Sequence, residues 1–168
     1  MGRLSEGEQA CRRASELYQR EGEALPQGWQ LARFVATYYH DLANPDPREM
    51  LEMAEFGVEW NPQAHSWHTL GMARYRVGDW PGAIDALKRS REIAPGGATA
   101  QDCFFFVAMA WWQLGDQEKA RSWYNAAVKR LEEEINPNIN EWYPDFIRFR
   151  AEAEELMGGE RNRSGGEE

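Results

Sequence analysis

Apolar residues along this chain recur every three or four positions and seldom alternate, the spacing of helices that each bury one face. The series Trp67, Leu70, Gly71 runs into Gly78-Asp79-Trp80 and resumes with Ala83, Ile84 and Leu87. A second series, Phe104 to Ala108, runs into Gly115-Asp116 and resumes at Ala120. The two Gly-Asp pairs lie 37 positions apart, as do Ala83 and Ala120. Glycine ends a helix by adopting positive φ, and aspartate caps the next one through its carboxylate. Each series therefore predicts a helix-turn-helix hairpin, one over residues 63–97 and one over 98–137. Two helices pack closely only where small side chains let their backbones approach, an opening expected from Gly71 with Ala83. Glycine inside a helix costs about 1 kcal/mol relative to alanine, so close approach is the reason expected for it.

Upstream, residues 27–62 carry a degenerate copy. Leu31 and Ala32 stand where the later unit has Leu70 and Gly71, and Asp46-Pro47-Arg48-Glu49 reads as a capped helix start. Met50 replaces the small residue found in the other units. Residues 1–26 predict an amphipathic helix opened by Ser5 and Glu8, with Ala10, Ala14, Leu17 and Tyr18 on one side. At the other end, residues 138–157 predict a capping helix that faces inward through Trp142, Phe146, Phe149, Ala153 and Leu156. Its Arg148, Glu152, Glu154 and Glu155 are expected on the polar side. A stack of repeats needs such a helix to shield its last hairpin. The Gly-rich, charged residues 158–168 predict a disordered tail.

Composition narrows the function. Valine, isoleucine and threonine together number only 13 of 168 residues, which argues for an all-α fold. A net charge of −9 repels a polyanion, so nucleic acid is not an expected partner. Neither a membrane-length apolar run nor a signal-peptide stretch after Met1 is present, and no membrane association is expected. Cys11 and Cys103 form no C-x-x-C pair or disulfide framework, consistent with reduced thiols in a cytoplasm.

The spacing resembles the tetratricopeptide repeat. Trp67, Leu70, Gly71, Ala83, Ser90 and Pro95 carry the resemblance in one unit, with Tyr75 one place beyond the usual aromatic position, held by Arg74. In the next unit they are Phe104, Val107, Ala108, Trp111, Ala120, Tyr124 and Ala127, with Pro137 arriving late. Residues 31–156 particularly resemble repeats attached to bacterial serine/threonine kinases and related signalling proteins. Leu31-Ala32, Asn44-Pro45-Asp46-Pro47, Trp67 to Gly71, Gly78-Asp79-Trp80, Ala108 to Trp111 and Phe149 to Ala153 carry that likeness. No kinase motif occurs, so only the interaction part is implied. The resemblance implies a right-handed α-solenoid that scaffolds another protein.

In such arrays the first helix of each hairpin lines a concave groove. The matching positions are Trp29, Arg33, Ala36 and Thr37; then His65, His68, Met72, Tyr75 and Arg76; then Asp102, Phe105, Met109, Trp112 and Gln113. Methionines and aromatics offer broad, adaptable contact, so a partner peptide or helix is expected on Met72, Tyr75, Phe105, Met109 and Trp112. The alternative is that the same stripe is buried by the N-terminal helix or against a second copy in a homodimer. Chaperone-tail binding is not expected, because the cationic donors it requires are missing. His65, His68 and Asp102 could approach one another, but they fall short of a four-ligand site, and neither a metal nor another cofactor is expected. No nucleophile and base pair up in the sequence, so no enzymatic activity is expected.

Overall fold

The computed structural model describes residues 47–95, 98–133 and 143–158. Over these residues the chain is all-helical: α1 (Pro47–Trp60), α2 (Ala64–Arg76), α3 (Trp80–Ile93), α4 (Ala98–Gln113), α5 (Gln117–Glu133) and α6 (Tyr143–Gly158). The helix expected within 1–26, the first helix of the 27–62 unit with its Trp29, Arg33, Ala36 and Thr37, Trp142 and the tail beyond Gly158 lie outside the described residues. No described helix is long and apolar enough to cross a membrane.

Two hairpins, α2 with α3 and α4 with α5, are built on the same turn. Gly78 and Gly115 adopt φ of +84° and +83°, a region that side chains with a Cβ avoid. Around the first, the Gly78 N–H donates to the Tyr75 carbonyl at 3.0 Å and the Asp79 N–H to the Arg74 carbonyl at 2.9 Å. Around the second, Gly115 donates to Trp112 at 2.9 Å and Asp116 to Trp111 at 3.0 Å. These bonds satisfy carbonyls that the helix end would leave orphaned. The next helix is then capped at once: Asp79 Oδ1 accepts from the Gly82 N–H, and Asp116 Oδ1 from the Lys119 N–H, each at 3.0 Å. Replacing Asp79 with alanine is expected to cost about 1 kcal/mol by removing this cap. Urea unfolding of the Asp79→Ala variant checks the figure.

Within the first hairpin the helices touch at Gly71. A Cβ added there would lie 2.5 Å from Leu87 Cγ and 3.2 Å from the Ala83 carbonyl oxygen. Leu87 and Ala83 are fully buried, so the contact is backbone against packed core. At the open end of the same hairpin, the buried Ser90 hydroxyl donates to the Ala64 carbonyl at 2.7 Å. The hairpins stack through α3 and α2 against α4, and α1 lies on α2. Met50 is buried on α1 among the core side chains, so the methionine found in place of a small residue fills space rather than facing water. Between the second helices, the Arg91 guanidinium of α3 covers Phe104 at 4.5 Å and Trp123 of α5 at 5.1 Å.

Candidate functional site

α2 and α4, the first helices of the two hairpins, lie side by side and share a wall. α6 packs against α4 and reaches α2 through the side chains of Glu152 and Arg76. Its apolar stripe of Phe146, Phe149 and Ala153 is buried. Phe149 meets Phe106 of α4 edge to face with centroids 4.8 Å apart, and Phe106 meets Tyr75 of α2 in the same way at 5.5 Å. The three rings form a continuous aromatic row from α2 through α4 to α6.

Above this row a bidentate ion pair joins α2 to α6. Arg76 donates from Nη1 to Glu152 Oε1 and from Nη2 to Oε2, the latter at 2.8 Å. The side chains are 3% and 16% exposed, so this pair is largely withdrawn from water. The same guanidinium lies 5.2 Å above the Phe106 ring and 5.5 Å from that of Tyr75. On the opposite side α6 is tied to α5. The Tyr124 hydroxyl donates to Glu154 Oε1 at 2.5 Å, Arg150 Nε donates to the same oxygen at 2.9 Å, and Arg150 Nη1 donates to Glu132 at 3.2 Å. The capping helix therefore reaches past the last hairpin to the one before it.

Two clefts flank α6. One, of about 720 Å³, is lined by Tyr75, Arg76, Trp80, Gln113, Glu152 and Leu156, with Arg148 and Glu155 at its edge. The other, of about 660 Å³, is lined by Trp112, Arg121, Tyr124, Asn125, Glu154 and Met157. Both combine aromatic or aliphatic walls with a few charged groups, the composition of recognition sites.

The expected groove residues separate into two sets. Tyr75, Arg76 and Gln113 converge on the first cleft, and Trp112 borders the second. His68, Met72, Phe105 and Met109 are buried, at 0, 0, 1 and 0% exposure, and Met72, Phe105 and Met109 belong to the hydrophobic core. The expectation of an open wall is corrected at these four positions, because the chain's own atoms already exclude solvent from them. His65 is half-buried, and burial holds its imidazole below the ordinary histidine range. The Asp102 side chain lies outside the described residues. Glu152, expected among the polar positions of α6, instead forms the link to α2. Its place three residues after Phe149 and one before Ala153, at the border of the apolar stripe, was the available signal.

Electrostatics follow from these contacts. Burial, reinforced by the Glu152 charge, pushes the Tyr75 phenol up to about 12 despite the opposing Arg76 charge and a hydrogen bond with Gln113. An acid whose folded pKa is raised contributes full stability below its unfolded value near 10, and loses it as pH climbs towards 12. In an alkaline titration followed by phenolate absorbance, replacing Tyr75 with phenylalanine is expected to remove a tyrosine that ionises well above the ordinary phenol range. Hydrogen bonds from Tyr124 and Arg150 lower the Glu154 carboxyl, so the support it gives is present at neutral pH and fades on acidification. Among the described residues no three His, Cys, Asp or Glu side chains are grouped to hold a metal.

No protein-family model matches the sequence, and no curated protein matches it. The crystal structure of MamA, a tetratricopeptide-type helical repeat, is similar over 96% of this chain and 99% of that one, with a TM-score of 0.53 and 16% sequence identity. At that identity the likeness is one of fold, and the fold it shows is an all-α array of tetratricopeptide-like hairpins.

Proposed function

We propose that this chain is a protein-interaction scaffold of the bacterial cytoplasm, akin to the repeats beside signalling kinases, and that it holds a partner segment in the cleft between its hairpins and α6. The observation that carries this reading is the convergence of Tyr75, Arg76 and Gln113, from two successive first helices, with Trp80 and Leu156 around one opening. Half-buried aromatics beside a guanidinium are the usual anchors of a recognition surface. The fold supports the general role, and the resemblance of the sequence to kinase-linked repeats supports the cellular setting.

A photoreactive side chain placed at the exposed Gln113 tests the assignment against one placed at the exposed Lys129 on α5. In the native cell, Gln113 is expected to give a discrete cross-linked protein that Lys129 does not give. Equal labelling from both positions contradicts the assignment. Self-association through the aromatic stripe is less favoured, because Met72, Phe105 and Met109 are already covered within one chain.

A further inference from the structure

We propose that the wall shared by α2 and α4 is a helix-receiving site, and that α6 is a resident helix displaced by the partner. The partner it fits is an amphipathic, acidic helix bearing an aromatic residue and a carboxylate three positions beyond it. This rests on the scaffold reading above and deepens it: the partner that enters the cleft beside α6 goes on to take the place of α6 on the wall.

Three observations carry the proposal. First, α6 presents that pattern to the wall itself: the buried Phe149 seats on Phe106, and Glu152 engages Arg76. The wall thus reads one aromatic ring and one carboxylate at a fixed spacing, which is how an amphipathic helix is recognised in a groove. Second, α6 touches the wall along a narrow stripe. Clefts open on both sides of it, and its Ile147, Ala151 and Glu155 are exposed. Third, α6 is a single helix of 16 residues, without a following helix to form a hairpin among the described residues. An isolated helix of about that length is marginal in water, so its order depends on docking. Nine residues, 134–142, separate it in sequence from α5, a length that permits release without unfolding either hairpin.

The test uses the full chain and a fluorescent peptide of residues 143–158. Glu152→Arg places a cation against Arg76 and weakens the resident helix while leaving the wall intact. This variant is expected to bind the peptide at least about tenfold more tightly than the unaltered chain, as expected when a buried charge pair is broken in the competitor. Adding Arg76→Glu restores the resident pair in reverse and should return binding to the weak level. A peptide carrying Phe149→Ala should bind none of the three chains tightly.

Equal, weak binding by all three chains overturns the proposal. So does peptide-independent dimerisation of the Glu152→Arg chain, which would assign the wall to a second copy. Hydrogen exchange of the unaltered chain provides a check that needs no variant: α6 amides are expected to exchange well before those of α4. Exchange of α6 only together with α4 makes it an inseparable part of the core and contradicts its displacement. Cross-linking from Gln113 can succeed while these tests fail, so failure here and failure of the scaffold reading are distinguishable.

Discussion

Replacing Phe106 with alanine is expected to lower the melting temperature by about 10–15 °C. Phe106 is fully buried at the centre of the aromatic row, touching Tyr75 on one side and Phe149 on the other, beneath the Arg76 guanidinium. Truncating a buried phenylalanine costs about 3–5 kcal/mol in lost transfer energy and residual cavity. For a chain of this size each kcal/mol lowers the midpoint by about 2–4 °C. The loss should also be felt at α6, because Phe149 would lose its seat. Calorimetry gives the midpoint, and the Phe106→Leu variant, which refills most of the volume, is expected to recover more than half of the loss.

Gly71 gives the second large effect, and here two terms oppose. Alanine would gain about 1 kcal/mol of helix propensity over glycine. Its Cβ would, however, press within 2.5 Å of a Leu87 side chain that is fully buried and within 3.2 Å of the Ala83 carbonyl, and overpacking of this kind costs about 1–3 kcal/mol. The steric term wins, because the Ala83 oxygen is backbone and Leu87 is fully buried in the core. Gly71→Ala is expected to lose about 1 kcal/mol. Gly71→Val, with two further methyl groups, should lose about 3 kcal/mol or more. Combining Gly71→Ala with Leu87→Ala should cost less than the sum of the separate losses, since the smaller side chain relieves the clash. Strict additivity in denaturant unfolding would contradict the close approach.

Local chemistry explains what could be read in advance. Gly78-Asp79 and Gly115-Asp116 encode turns whose dihedral angles and caps depend on residues within a few positions, so the hairpins were legible. The contact of Gly71 with Ala83 was legible because glycine is costly inside a helix and needs a packing reason. The state of the groove was not. Periodicity identifies the stripe of His68, Met72, Phe105 and Met109 but says nothing about what covers it, and all four are buried. The contact between Arg76 and Glu152 spans 76 positions, and no local pattern specifies such a partner. Sequence also placed Glu152 with the polar residues of α6, because a carboxylate at the edge of an apolar stripe is ordinarily solvated.

The placement of α6 across the wall of the two hairpins rests most directly on that ion pair. A double-mutant cycle on Arg76→Ala and Glu152→Ala, read by urea unfolding, measures it. With both side chains largely buried and two hydrogen bonds between them, the expected coupling is about 1–3 kcal/mol. Single losses that add to within about 0.3 kcal/mol would mean that α6 does not reach α2, contradicting the account.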